Sequence, residues 1–358
     1  MEGCYKFGFE FCILSKETDS PAGQITNNEV TGDWSDEESL KKFSSMCDII
    51  TLENEFIDHT KIEYLEKLGK PVYPDSKIIK LVQDKLYQKE TLEKLNIPIS
   101  DFCKVDSKQD IVTFAGKYSY PVMLKSRTMG YDGKGNFEIS SEKDIEEAYK
   151  VLSGRGELMC ERFVRFEKEI ATQAVRSKSG EIKVYPVVET VQKSHVCNLV
   201  IASRNSFNEI TDRVKEIAEK ILTETNYTGV MGIEMFMTGD EILVNELAPR
   251  VHNSGHYTIE GSHTSQFENH IRAVLDMPLG DTSLKSEYAV MINILGERDC
   301  KAETKGFNEV LKDQNSYIHI YGKRETRKGR KMGHVTVLGD SLEAAISTAN
   351  KSREKISI

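Results

Sequence analysis

No run of about 18 apolar residues occurs in the 358-residue chain, so the sequence offers no membrane-spanning helix. The opening residues, MEGCYKFGFEFCIL, hold one lysine and two acids. They lack a basic head, a clean apolar stretch and a small-residue cleavage site, and so do not make a signal peptide. No two of the seven cysteines stand at CxxC spacing, and their number is odd. That makes a disulfide framework or a structural zinc site unexpected and points to reduced thiols in a reducing, cytoplasmic setting. A basic excess is missing too: 48 Lys and Arg against 57 Asp and Glu give a net charge of −9. Duplex nucleic acid is therefore not an expected partner, and neither is a membrane. Repeats and low-complexity linkers are absent. What remains is an ordinary globular composition, 39% hydrophobic and 29% charged, with length for two or three domains.

Strand and helix signals alternate from the start. A helical segment at 2–7 precedes a strand at 9–14, a helix at 35–46 capped by Ser35, a strand at 47–52, a helix at 57–68 stopped by Gly69, and a short strand near Val72. This is βαβ order and predicts a mostly parallel sheet. Two helical stretches fill 75–95. Strand, helix and strand follow at 102–105, 108–117 and 122–124, then a glycine-bearing loop at 127–136 and a helix at 141–152. Strands at 158–164, 170–176, 182–188 and 196–203 suggest an antiparallel sheet. A long amphipathic helix at 207–225 leads into a hairpin, 230–237 and 241–247, turning at Thr238-Gly239-Asp240. A helix at 264–275, three short strands after Glu287 and a helix at 341–353 close the chain.

Five constellations carry chemistry. In the hairpin, a turn at 238–240 places Glu234 opposite Val244, with Glu246 its diagonal neighbour on the same face. Two converging carboxylates repel unless a cation separates them, which suits a hard divalent ion bridging to phosphate. Two acids on a solvated face is the alternative, although the flanks are strongly apolar. Asn245 alternates to the other face, while Asn253 just beyond is placed to add an oxygen. The second is the loop 127–136, with Gly130, Gly133 and Gly135 after Lys125. It is neither a GKS/GKT P-loop nor a GxGxxG turn, so a backbone anion cradle and a surface hairpin both stand. The third is Glu161-Arg162-Phe163-Val164 followed by Glu169, either a purine- and ribose-holding strand edge or an ordinary strand. The fourth is the cluster 323–331, in which six of nine residues are basic, either a phosphate site or a solvated loop. The fifth is the polar loop 248–256, with Arg250, His252, Asn253 and His256, which leaves the carboxylate strand where functional loops often run.

In this order the segments resemble the ATP-grasp enzymes, and more closely the 5-(carboxyamino)imidazole ribonucleotide synthases of purine biosynthesis. The resemblance rests on Glu53-Asn54-Glu55-Phe56, Gln83-Asp84-Lys85, the run 130–135, Asn245-Glu246-Leu247-Ala248-Pro249-Arg250 with His252-Asn253-Ser254-Gly255-His256, Thr264-Ser265-Gln266-Phe267-Glu268, and Gly329-Arg330-Lys331-Met332-Gly333-His334. It runs from about Gly3 to Gly339. It implies an α/β (α+β) ATP-grasp fold with an N-terminal parallel-sheet pre-ATP-grasp domain at 1–80, truncated at its start. An ATP-grasp domain at 81–280, with an inner lid at about 105–165, and a small β-rich C-terminal domain at 281–358 complete it.

The resemblance also implies the activity. ATP phosphorylates bicarbonate to carboxyphosphate, and the exocyclic amine of 5-aminoimidazole ribonucleotide takes the carboxyl group. The cofactors implied are ATP and Mg²⁺, with Mn²⁺ possible, and the assembly implied is a homodimer. Lys85 and Lys125 are placed on the ATP phosphates, and Gly130, Tyr131, Asp132, Gly133, Lys134, Gly135 and Asn136 close over them. Glu161, Arg162, Phe163 and Val164 fall at the adenine, Glu169 at the ribose, with Gln192, Asn245 and Glu246 as further nucleotide contacts. Glu234 and Glu246 hold the metal. Tyr131, Asp132, Arg250, His252 and Lys331 are the candidate catalytic set. Arg250, His252, Asn253, Lys323, Arg330 and Lys331 are the candidate ribonucleotide and bicarbonate contacts. No general base is named.

The family opens with a strand and a Gly-Gly-Gly-Gln-Leu-Gly turn, and neither is in this sequence; Cys4 to Phe9 matches the end of the helix that follows. The expectation is a chain less stable and less active than one extended upstream. Two rivals stand beside the main assignment, a formate-using ligase of the same superfamily and a non-catalytic nucleotide-binding paralogue.

Overall fold

A computed structural model describes residues 2–128, 135–193, 196–239 and 241–358. Gly130, Tyr131, Asp132, Gly133 and Lys134 lie outside the described residues, as does Asp240 of the hairpin turn.

The amino-terminal part builds two short parallel pairs, Ile13–Ser15 with Glu29–Thr31 and Ile50–Thr51 with Val72–Tyr73. Leu14, Val30, Ile50 and Val72 from these pairs share one apolar cluster with Leu40, Phe43, Ile62 and Leu65 from the two intervening helices. The expected parallel arrangement is present. The helix expected at 35–46 is Glu37–Ser45, and Asp36 rather than Ser35 caps it, accepting from Glu38 and Ser39 N–H. Ser35 is engaged by Asp33, whose carboxylate accepts its N–H and hydroxyl, each at 2.8 Å. A carboxylate at the cap position also meets the positive end of the helix dipole.

Next comes a separate four-stranded sheet in the order Phe102–Val105, Leu158–Arg162, Val122–Ser126, Asn136–Ile139. Helices Lys108–Tyr118 and Ile145–Ser153 pack on it through Ile111, Phe114, Ile145, Ala148 and Leu152. This unit, Phe102 to Arg162, falls at about the span 105–165.

Among the described residues, the large sheet has nine strands, all antiparallel. It runs Glu241–Ala248, Gly229–Thr238, Lys168–Arg176, Val188–Lys193, Val196–Ser203, Tyr288–Leu295, Lys331–Gly339, Ser316–Ile320. The ninth, Ile182–Val184, pairs with Lys168–Arg176. The strand expected at 182–188 is broken there because Pro186 has no N–H for the ladder. The carboxy-terminal strands continue this sheet: Val196–Ser203 pairs directly with Tyr288–Leu295.

Strand alternation decides what the sheet offers. Met231, Ile233 and Met235 point into a core with Ile210, Val214, Ile217 and Ile221 of helix Asn208–Glu224. Each large aliphatic side chain so buried contributes about 1.5–3 kcal/mol. The intervening Gly232, Glu234 and Phe236 therefore face the other way. Their register partners Gln173, Ala171 and Glu169 share that face. Among the described residues no helix is long and apolar enough to cross a membrane.

Candidate active site

The carboxylate pair is tighter than the sequence indicated. The hairpin closes with Thr238 opposite Glu241, and a register shift between Glu234 and Met235 sets Glu234 directly opposite Glu246. The diagonal placement expected from unbroken pairing is thus corrected by a β-bulge. Asn245 is the extra residue, so Asn245 and Glu246 are both half-buried and consecutive where alternation would have hidden one of them. Burial, then the charges of Glu246 and Glu169, push the Glu234 pKa from its ordinary 4.5 to about 7, against the pull of Lys331 and Lys85.

Lysines face this pair. Lys85 opens the helix Lys85–Lys94, capped by Asp84, and its ammonium lies 3.0 Å from Glu246. Burial pulls the Lys85 pKa down, but Glu246, Glu161 and Glu234 together leave it raised. Lys89, one turn on, carries no local signal in the sequence. It is buried, with Nζ 3.2 Å from Ser100 Oγ, 3.3 Å from the Val244 carbonyl and 3.6 Å from Glu161. Burial lowers its pKa to about 8 despite Glu161. Lys125 stands 3.1 Å from the same carboxylate. Glu161 is the common counter-ion: burial opposes its charge, yet Lys125, Lys89 and Lys85 hold its pKa down at about 2. Its carboxylate is therefore committed to lysines.

Arg162 follows Glu161, with its guanidinium 3.0 Å from Asp101. Arg162, Phe163 and Val164 line a cavity of about 340 Å³ with Tyr120, Pro121 and Leu243. Glu169 shares the face of Glu234, and beyond it Phe166 stacks on Phe236 with centroids 4.8 Å apart. Gln192 is exposed, just after a register shift. Gly135 accepts from Ser126 N–H at 2.8 Å, and Asn136 pairs with Lys125. Arg127, the first residue of the glycine loop, forks onto Asp84 and reaches Glu157 at 2.9 Å, tying the start of strand Leu158–Arg162 to the cap of helix Lys85–Lys94.

The loop after Glu246 brings Arg250 and His252 to the cleft. Arg250 forks onto Glu55, 195 residues away, with Nη2 2.9 Å from one carboxylate oxygen and Nε on the other. Nothing local in the sequence around Glu55 reveals a partner so distant. His252 Nε2 lies 3.6 Å from Glu234. Burial, then Arg250, Lys331 and His256, holds the His252 pKa well below its ordinary 6.5. Asn253 is different. Its amide exchanges hydrogen bonds of 2.9 and 2.8 Å with Asn293, and both side chains are buried. It ties the loop to strand Tyr288–Leu295. Asn293→Ala should cost about 1–3 kcal/mol, because the Asn253 amide is left buried and unpaired. Urea denaturation measures this; an unchanged midpoint would contradict it.

The structure divides the basic cluster 323–331. Lys331 is close enough to the cleft for its charge to act on Glu234, His252 and His256. Lys323 donates to the Lys331 carbonyl at 2.8 Å and lines a second cavity of about 710 Å³ with Lys301 and Arg324. Arg330 is exposed and donates to the Glu325 carbonyl at 2.7 Å.

Among the described residues, no three His, Cys, Asp or Glu side chains converge as a metal cage. Two carboxylates fit a Mg²⁺ ion that takes its remaining ligands from water and phosphate. A pH dependence follows. Glu234 has a folded pKa raised from 4.5 to about 7, so between those values the folded chain binds a proton that the unfolded chain releases. Without metal, the melting temperature should therefore fall as pH rises through this window, and Glu234→Gln should flatten that fall. Scanning calorimetry at a series of pH values reads both.

Family comparisons agree along the chain. A ribonucleotide synthetase preATP-grasp domain matches residues 1–83, an ATP-grasp domain 90–267, and a phosphoribosylaminoimidazole carboxylase C-terminal domain 289–348. Phosphoribosylaminoimidazole carboxylase of Ogataea methanolica is 36% identical over 96% of this chain and 64% of its own length. The chain spans 60–64% of the length of that protein and of three others of the same name. The N5-carboxyaminoimidazole ribonucleotide synthetase of Thermus thermophilus superposes with a TM-score of 0.90 at 35% identity, covering 99% of this chain and 94% of that one. The Aspergillus clavatus N5-carboxyaminoimidazole synthase, in complex with ADP and 5-aminoimidazole ribonucleotide, gives 0.88 at 32%, over 99% and 94% of the two chains. With 94% of each of these two solved synthases covered at 32–35% identity, and with its paired carboxylates beside Lys85, the chain belongs to the N5-carboxyaminoimidazole ribonucleotide synthase family.

Proposed function

We propose that the chain carboxylates the exocyclic amine of 5-aminoimidazole ribonucleotide, using ATP and bicarbonate and releasing ADP and phosphate. The observation that carries this is the direct opposition of Glu234 and Glu246, with Lys85 on one side and His252 on the other. Phosphoryl transfer needs mainly positioning and neutralised charge. Lys85 and Lys125 supply positive charge for the ATP phosphates. Mg²⁺ held by Glu234 and Glu246 (Mn²⁺ could replace it) would neutralise the phosphate oxygens.

In the first step a bicarbonate oxygen attacks the γ-phosphorus, the bond to the β-phosphate oxygen breaks, and ADP leaves. In the second the substrate amine attacks the carboxyl carbon, phosphate leaves with the bridging oxygen, and the nitrogen loses a proton. Arg250, His252 and Lys331 flank the place where the anionic carboxyl group forms, and a neutral His252 can donate to it. Tyr131 and Asp132 are assigned to the aminoimidazole side by family resemblance.

Support comes from the Aspergillus clavatus complex, whose ligands are the nucleotide this reaction releases and the ribonucleotide it consumes. The test is ADP release from ATP. It should require bicarbonate and 5-aminoimidazole ribonucleotide together. Release with formate and glycinamide ribonucleotide instead would overturn the assignment.

A further inference from the structure

The turn carrying His252 is held by a residue with no role in the proposed chemistry. Gln266 opens helix Gln266–Val274 and is fully buried. Its side-chain oxygen accepts the His252 N–H at 2.9 Å, and its amide nitrogen donates to the His252 carbonyl at 2.8 Å. The amide thus pairs with both polar groups of one residue's main chain, as a neighbouring strand would. The same nitrogen lies 3.0 Å from His256 Nδ1. The Gln266 N–H is in turn accepted by Thr258 Oγ1 at 2.9 Å.

The imidazole is fixed from within the turn that Gln266 holds. Ser254 N–H donates to His252 Nδ1 at 3.4 Å, and the Ser254 hydroxyl lies 2.8 Å from the same atom. A backbone N–H can only donate, so Nδ1 is the acceptor and the ring proton sits on Nε2. Gln173 donates to Ser254 Oγ at 2.8 Å, which turns the hydroxyl hydrogen toward Nδ1. Close packing completes the arrangement. A Cβ on Gly232 would come within 2.6 Å of His252 Cβ, and one on Gly255 would lie 2.6 Å from Gln266 Oε1. Glycine at both positions lets the ring lie against the strand that carries Glu234.

We propose that Gln266 is a positioning residue for the carboxylation: it sets the His252 main chain so that the imidazole presents Nε2–H to the cleft beside Glu234. This rests on the functional assignment above. It makes His252 a preorganised donor to the developing carboxylate rather than a base.

The experiment compares the wild-type chain with Gln266→Glu, which keeps the acceptor and loses the donor, and Gln266→Met, which loses both. Bicarbonate-dependent ADP release gives kcat and the KM for ATP; histidine-selective ¹⁵N labelling reads the His252 ring nitrogens. The Met variant should lose about 100-fold in kcat, the size expected of a displacement near 1 Å. The Glu variant should lose less, and the KM for ATP should stay within about twofold in both. Wild-type His252 should show a bare Nδ1 and a protonated Nε2, and the Met variant a mixture of tautomers. An unchanged kcat overturns the proposal. So does a fall in kcat accompanied by an equal rise in ATP KM with unchanged His252 signals. Should the Met variant not fold, the Glu variant carries the same comparison. If the wild-type chain shows no bicarbonate-dependent release, the functional assignment fails, and the nitrogen signals alone decide whether Gln266 holds His252.

Discussion

Glu234→Gln should lower turnover by at least about 100-fold, the usual loss when one preorganised group is taken from a charge-stabilising site. The same substitution should leave the melting temperature at pH 8 unchanged or higher. Both effects have one origin. Glu234 stands directly opposite Glu246, and the repulsion, added to burial, is strong enough to hold its pKa at about 7. Without a cation the pair is a local destabilisation, and removing one charge relieves it. Under the proposed function the same pair would hold the metal that meets the nucleotide phosphates. Loss of function with gain of stability is the expected signature of such a site. Steady-state ADP release and calorimetry on one preparation measure both. A variant that is both active and less stable would show that Glu234 is a packing residue.

The second large effect falls on stability. Glu161→Gln should cost about 3–5 kcal/mol, because it strips the counter-ion from ammonium groups that cannot reach bulk water. Lys89 and Glu161 side chains are 3% and 5% exposed, so solvent offers little screening. Lys125, at 11%, depends on the same carboxylate. Adding Lys89→Met should return part of the loss, since removing a buried pair costs less than removing half of it. Urea denaturation of the single and double variants reads this directly. A single variant with a wild-type midpoint would mean that the three charges are solvated after all.

Much of this was legible in the sequence because it depends on local pattern. Alternation in Gly232-Ile233-Glu234-Met235-Phe236 separates a core face from a cleft face, and the glutamates fall on the cleft face. Helix positions followed from apolar spacing, whereas the strand expected at 182–188 is interrupted at Pro186. What local pattern could not show is anything set by distant partners. The bulge at Asn245 is a property of two strands in register, not of either one, and it converts a diagonal carboxylate pair into an opposed one. Glu55 finds Arg250 across 195 residues. Asn253 finds Asn293 across 40 residues, on strand Tyr288–Leu295. Gln266 stands in a motif that carries the resemblance, yet only the folded turn shows its amide closing on His252. Lys89, in sequence one more surface lysine, is buried because Ser100, Val244 and Glu161 converge on it.

The central claim is that bicarbonate is phosphorylated before the amine is carboxylated. Bicarbonate labelled with ¹⁸O tests it most directly, with ATP, Mg²⁺ and 5-aminoimidazole ribonucleotide. The account requires one ¹⁸O atom in each phosphate released, carried over as the bridging oxygen. Phosphate without the label, formed at the same rate with or without bicarbonate, would contradict it.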